Sequence, residues 1–252
     1  MTLTASQRYA SGGSLRRFAS IAPKGHRIHL ADDHPALVEG RTLFPSRVEA
    51  PEDRPRLLVS GVNSRKIGRK VTKGRMRGFP IFTLTLEERA TCPRSCVEWR
   101  TCYGNGMNWG RRIKHGPTFE RMLWDELAAK QGEHPNGFLV RLHILGDFYS
   151  VQYAELWAHA LEEYPALNIF GYTARDPASD IGSVIAELIG TQPERFHVRF
   201  SGWGGPRNGA IVVDHAEETE HLICPAQQGK VECCAACAFC WHTDKTLAFL
   251  RH

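Results

Sequence analysis

No cysteine occurs in the first 91 residues of this 252-residue chain, and no run of eighteen or more apolar residues occurs anywhere in it. The missing apolar run excludes a transmembrane helix of ordinary length. The opening MTLTASQRYASGGSLRRF also lacks the apolar core and small-residue cleavage site of a secretory signal, so the expected location is the cytoplasm, with no membrane partner. Cysteine is sparse as well as late. Eight residues, all between positions 92 and 240, are too few and too grouped for a disulfide scaffold, which would spread them through a small secreted domain. In a reducing compartment grouped thiols read as metal ligands. No internal repeat and no nucleophile–base triad is legible, and Gly202, Gly204 and Gly205 do not make the strand–turn–helix fingerprint of a dinucleotide site.

With 42% apolar residues the chain can bury one substantial core. Its net charge of +5 is unevenly spread. The stretch NSRKIGRKVTKGRMRG carries Arg65, Lys66, Arg69, Lys70, Lys73, Arg75 and Arg77 with no acid among them. With Arg111, Arg112 and Lys114 this run is a candidate nucleic-acid surface, against the plainer reading of a solvated basic loop.

Residues 1–60 hold GGS, several prolines and scattered arginines without periodicity, and are expected to be an irregular N-terminal extension. Residues 61–252 form the expected main domain. There, strand-like runs alternate with helical ones: GFPIFTLTL, GFLVRLHIL, ALNIFGYTAR, RFHVRFSGW, AIVVDHA and HLICPA against PTFERMLWDELAAKQ, SVQYAELWAHALEEYP and SDIGSVIAELIG. Ser150 is a plausible N-cap, and Tyr153, Leu156, Trp157, Ala160, Leu161 and Tyr164 form one apolar stripe. Trp124 and Trp157 are expected in the core. The alternation predicts an α/β fold, a partial (β/α) barrel of about five or six mostly parallel strands with a Cys-rich C-terminus. In such folds functional groups gather at the C-terminal ends of the strands. The first cysteine loop, GDFYS, YTARDP, SGWGGP and the final cysteine knot are all expected on that rim.

Cys92, Cys96 and Cys102, spaced x3 and x5, follow the first strand. Three thiolates can hold three irons of a cubane cluster and leave the fourth iron open, whereas a structural zinc usually closes with four protein ligands. His115 or a distant cysteine would be needed to close a zinc site. In the second group, Cys234, Cys237 and Cys240 form a C-x2-C-x2-C run and Cys224, followed by proline, is a remote fourth donor. Four thiolates suit a [4Fe–4S] cluster or a zinc ion. Cys233 is either a buried thiol or a replacement for Cys234. All the cysteines converging on one cluster is a further arrangement that spacing leaves open.

TCPRSCVEWRTCY after a strand, GDFYS after the next, YTARDP after the third, and ICPAQ with CAACAFCW at the end resemble the phage and bacterial "gene product 88" domain family. That family is itself similar in organisation to the radical S-adenosylmethionine enzymes. The likeness spans roughly residues 60 to 242. It implies a partial (β/α) barrel with a [4Fe–4S] cluster on Cys92, Cys96 and Cys102, whose open iron chelates S-adenosylmethionine for hydrogen abstraction from a substrate. It implies an electron donor such as a flavodoxin or ferredoxin. Here the spacing is x3 then x5, where the superfamily usually has x3 then x2. The aromatic often found before the third cysteine is matched only loosely, by Trp99 and Tyr103. Gly146 and Asp147 stand where that superfamily's Gly-rich acidic turn meets the cofactor's amino group.

Beyond the metal, strand alternation in VRLHILGD puts Arg141 and His143 on one face, expected to point into the barrel. His143 and Arg175 are candidate catalytic residues. Thr173 and Ser201, at the ends of the third and fourth strands, join Gly146 and Asp147 as candidate cofactor contacts. An Asp147–Arg175 ion pair bracing two loops is the plain alternative.

Overall fold

The computed structural model describes residues 28–64 and 66–251. Residues 1–27 of the expected extension and Arg65 of the basic run lie outside the described residues. Ten strands run in chain order: β1 Val48–Glu49, β2 Val59–Ser60, β3 Ile81–Thr83, β4 Arg112–Ile113, β5 Phe138–Leu142, β6 Leu167–Thr173, β7 Phe196–Ser201, β8 Gly209–Val213, β9 Leu222–Ile223 and β10 Leu247–Leu250. Eight make one sheet in the order β2-β3-β5-β6-β7-β8-β10-β9. Every neighbouring pair in it is parallel except β2 with β3. The remaining two, β1 and β4, form a parallel pair.

The sheet therefore has more strands than the five or six expected. The additions are β2, only two residues long, and β10, whose TLAFL run follows the cysteine knot and inserts between β8 and β9. A short apolar run at such a distance from its partners carries no periodicity that separates strand from loop.

Among the described residues five helices accompany the strands: α1 Pro35–Val38, α2 Pro117–Glu133, α3 Val151–Glu163, α4 Asp180–Thr191 and α5 Cys234–Cys237. Their starts follow local chemistry. Pro117 occupies the first turn of α2, where its missing N–H costs nothing. Ser150 Oγ accepts from Tyr153 N at 3.0 Å and Ser179 Oγ from Gly182 N at 3.1 Å, capping α3 and α4. None of the helices among the described residues is long and apolar enough to cross a membrane.

Strand alternation sorts the sheet into two faces. Phe138, Val140, Leu142, Leu167, Ile169, Phe196, Val198 and Phe200 face the helix layer, where Phe119, Leu123 and Leu127 of α2 and Tyr153, Trp157 and Leu161 of α3 fill the main core. Each such side chain contributes about 1.5–3 kcal/mol by burial. Trp157 is buried as expected, and Trp124 packs against the rim of this core. Leu57 and Leu58 enter the same core, and their N–H groups donate to the Glu126 carboxylate of α2, the closest contact being 2.7 Å. The opposite face carries Ile81, Leu139 and Phe170. A plug made from two distant segments covers them: Ile67, Val71 and Met76 after β2, and Cys233, Ala235, Ala238 and Trp241 from the knot. The knot is thus fixed against the sheet's second face rather than on the rim, which corrects its expected place.

Candidate metal and cofactor site

The chain leaves β3 through Leu84 and Leu86, both buried, and then presents three consecutive charged residues, Glu87, Glu88 and Arg89, each at most 4% exposed. Buried charge must be paired. Glu88 takes a bidentate grip from Arg112, at 2.8 and 2.9 Å, with side chains 1% and 0% exposed, and accepts from Thr42 Oγ1 at 2.7 Å. Arg112 also donates to the carbonyls of Gly104, Met107 and Gly110. Glu87 is held by Arg41 at 2.6 and 3.1 Å. Arg89, at a positive φ of 64°, donates to the Trp99 carbonyl and to Asn105 Oδ1. Asn105 in turn donates to the carbonyls of Ile28 and Arg100. This network fixes the course of the loop that carries the first three cysteines.

Arg112, placed with the basic run on sequence grounds, is therefore an interior residue and offers nothing to a phosphate. Arg111 pairs with Glu49, and Arg75 with Glu194. Lys66, Arg69, Lys70, Lys73 and Arg77 are exposed.

Cys92, Cys96 and Cys102 are half-buried, and Cys92 and Cys96 are electrostatic neighbours of Cys102 and Asp147. Burial, followed by the Asp147 charge, pushes Cys92 up, with Cys102 and Cys96 adding to it. Cys96 is pushed up to about 11, again first by burial, with Cys102 and Asp147 contributing. Burial also raises Cys102. A main-chain N–H opposes each rise: Arg89 for Cys92, Glu98 for Cys96 and Gly104 for Cys102. Metal-free, these thiols favour the protonated state.

Three loops at the C-terminal ends of β3, β5 and β6 meet beside them. Gly146 has φ +86°, and a Cβ there would lie 2.6 Å from both Leu86 Cβ and Thr91 Oγ1, so only glycine fits. Asp147 is buried, its main-chain N–H donating to Thr91 Oγ1 at 3.1 Å. Its carboxylate accepts from Phe148 N and Ala174 N, each at 2.7 Å, with Thr173 also bonded. Burial outweighs these bonds and raises its pKa to about 6. Thr173 Oγ1 accepts from Arg175 N at 3.0 Å. Arg175 donates to the carbonyls of Phe148 at 2.7 Å and Thr91 at 2.8 Å, tying the cysteine loop to the Gly146 turn. Ser201 ends β7 on the same rim, and a Cβ at the following Gly202 would sit 3.6 Å from Val97 of the cysteine loop.

His143 is placed differently from its expected face. β5 ends at Leu142, alternation ends with it, and His143 turns toward the helix layer, where Nε2 lies 2.9 Å from Tyr153 Oη and the ring packs on Phe148. Its Nδ1 has no partner among the described residues. Burial, then the Arg141 charge, lowers its pKa to about 3. His115 packs on Tyr149 at 4.7 Å between ring centres, with Glu87, Arg41, Lys114 and Glu120 as its charged neighbours.

In the second group, Cys224, Cys234, Cys237 and Cys240 are mutual electrostatic neighbours. Cys234 and Cys240 keep some surface open, and Tyr172 Oη lies 3.1 Å from Cys240 Sγ. Burial raises Cys234, and pushes Cys237 up to about 11. Cys233 is fully buried in the apolar plug, with Glu232 as a charged neighbour. Among the described residues no three His, Cys, Asp or Glu side chains are drawn together as ligands of one metal ion.

The donor sets fit the groups that the sequence suggests. Three thiols that feel one another's charge, each with a main-chain N–H at its sulfur, supply the donor type of a cluster with one open corner, and four more supply that of a filled one. Sequence reasoning missed Glu88, Arg89, Asn105 and Tyr172. A triplet EER straight after a β-run was the available signal, since charge directly behind a buried strand demands partners. No protein-family model, curated protein or solved structure matches the chain.

Proposed function

We propose that this protein is an iron–sulfur enzyme of the radical S-adenosylmethionine type, related to the "gene product 88" family and acting in the cytoplasm on a substrate that enters at the rim. The observation that carries the reading is the meeting of Cys92, Cys96 and Cys102 with Asp147 where the strands β3, β5 and β6 end. In this reading the sheet is the wall of a partial (β/α) barrel. The three thiolates would hold a [4Fe–4S] cluster. Together with S-adenosylmethionine, and given one electron from the donor protein, such a cluster would supply the radical chemistry of hydrogen abstraction.

The chain's own residues then have definite tasks. Gly146 lets the backbone come close beside the Asp147 carboxylate, which accepts from the cofactor's ammonium. Arg175 and Thr173 hold that turn against the cysteine loop and so set the distance between the two halves of the site. Ser201 offers a hydroxyl to ribose or carboxylate. His143 stays neutral and fixes the end of β5 through Tyr153. Cys224, Cys234, Cys237 and Cys240 would hold a separate auxiliary [4Fe–4S] cluster, with zinc as the competing occupant, and a flavodoxin or ferredoxin would supply electrons.

The deciding experiment is anaerobic electron paramagnetic resonance of the reduced protein with and without S-adenosylmethionine. A cluster signal that changes on adding it supports the reading. Colourless protein holding stoichiometric zinc after growth with ample iron sinks it.

A second reading rests on the exposed cations Arg69, Lys70, Lys73 and Arg77: a non-catalytic, metal-stabilised nucleic-acid binding protein. It expects affinity for nucleic acid that falls steeply with salt, and is discarded by salt-independent or absent binding.

A further inference from the structure

Strand pairing sets Thr83, Arg141, Phe170 and His197 in one row across the sheet, and Tyr172 with Arg199 in the next row toward the C-terminal ends. Arg141 stands two residues beyond Leu139, where the apolar plug gives out. Its guanidinium carbon is 4.8 Å from the centre of the Tyr172 ring and 5.6 Å from that of Phe170. Its charge is felt by the Tyr103 hydroxyl, which also feels Cys92 and Cys102, and by Cys234 of the second group. Arg141 thus stands beside Tyr172, whose hydroxyl lies 3.1 Å from Cys240 Sγ.

Other interior arginines are held by named acceptors: Arg112 by Glu88, Arg89 by Asn105, Arg175 by the carbonyls of Phe148 and Thr91, and Arg199 by those of Thr243 and Lys245, although its Nε has no partner among the described residues. Arg141 donates to the carbonyl of its own neighbour Leu142, and among the described residues no carboxylate pairs with it. Two aromatic faces recover only about 0.5–2 kcal/mol of what a partly buried cation loses in hydration. The place is also open. Tyr103, next to Cys102, exposes 55% of its surface. Arg141, Tyr172, Cys92, Cys102 and Cys234 likewise keep part of their surface accessible.

We propose that Arg141 anchors an anionic group of the substrate, a carboxylate or a phosphate, on the sheet face beside Tyr172. The planar fork of the guanidinium suits both anions. The inference rests on the reading of Cys92, Cys96 and Cys102 as the reaction centre, which makes this face a substrate site.

The test is thermal unfolding of the anaerobically purified full chain at constant ionic strength, replacing chloride by inorganic phosphate or by acetate. Wild type, Arg141→Gln, Arg141→Lys and Arg75→Gln are compared. Arg75 serves as control because it already pairs with Glu194 at the surface. The wild type and the Arg75 variant should rise saturably with at least one anion, by about 2–5 °C at ten times the dissociation constant. Arg141→Gln should stay flat, and Arg141→Lys should bind at least threefold more weakly. A rise shared equally by all four, or none in any of them, overturns the proposal. Should Arg141→Gln fail to fold, an unchanged anion affinity in Arg141→Lys overturns it equally. Iron content and the S-adenosylmethionine-induced spectral change are read on the same samples. Their retention in Arg141→Gln, with the anion response lost, supports a substrate anchor. Loss of that spectral change gives Arg141 to the cofactor's carboxylate and overturns the assignment. Wild type without iron that keeps its anion response sinks the radical reading and leaves an anion site standing.

Discussion

Asp147 and Arg175 are neighbours that do not form an ion pair. The carboxylate takes the N–H groups of Phe148 and Ala174, while the guanidinium takes the carbonyls of Phe148 and Thr91. Each charge is spent on main chain, so the two side chains clamp the same loops independently. Replacing Arg175 by Ala should cost about 1.5–3 kcal/mol by denaturant unfolding and lower iron retention at the first site. A variant with full iron and wild-type stability would show that the clamp is superfluous.

The pair Arg112–Glu88 is the buried support of the same loop. Arg112→Ala leaves a carboxylate with no countercharge in a site 1% exposed, and should cost about 3–5 kcal/mol. The double variant Arg112→Met with Glu88→Leu should recover much of that loss. Equal destabilisation in the single and double variants would contradict the account.

Cys233 and Cys234 are adjacent in sequence yet opposite in surroundings. Cys233→Ala should keep the full metal content of the second site, whereas Cys234→Ala should lose about four irons per chain. Metal analysis of the two variants decides the matter, and the reverse result would exchange their roles.

Tyr172 lies 3.1 Å from the Cys240 sulfur. A donor at a ligating sulfur stabilises the reduced, more negative cluster, so Tyr172→Phe should shift the one-electron potential of the second centre downward, by roughly 65 mV if the hydrogen bond is about 1.5 kcal/mol stronger in the reduced state. A redox titration followed by electron paramagnetic resonance reads the shift. An unmoved potential would mean that the hydroxyl donates elsewhere once metal is bound.

His143 titrates near 3 in the folded chain and near 6.5 when unfolded, because burial excludes the charged form. Between those values the unfolded state holds the extra proton. Stability from this residue is therefore complete above about pH 6.5 and falls as pH drops toward 3. His143→Gln keeps a partner for Tyr153 without a titrating ring, so its acid-side loss of stability should be shallower. Parallel pH–stability curves for the two proteins would remove His143 as the cause.

Much of the architecture was legible where the signal is local. The caps Ser150 and Ser179, the stripe of α3 and the strand runs follow from neighbouring residues, and cysteine spacing separated the two groups. Non-local facts were not legible. Nothing in TLAFL announces that it pairs between β8 and β9, and nothing in CAACAFCW announces that Trp241 packs on Phe170 at 4.6 Å between ring centres. Arg112 reads as a surface cation because its partner Glu88 is far away along the chain. His143 was misdirected by carrying alternation one residue past the strand that supports it.

The segment between β9 and β10 leaves the sheet and returns to its own starting place, since Leu222 pairs with Leu247 and Ile223 with Ala248. Main-chain pairing has already met the entropy of closing that circuit. The thiols of Cys224, Cys234, Cys237 and Cys240 would thus meet a metal from within a pre-formed ring. Stripping the metal would then empty a socket without melting the scaffold, unlike in small zinc modules, where the ion is what folds the chain.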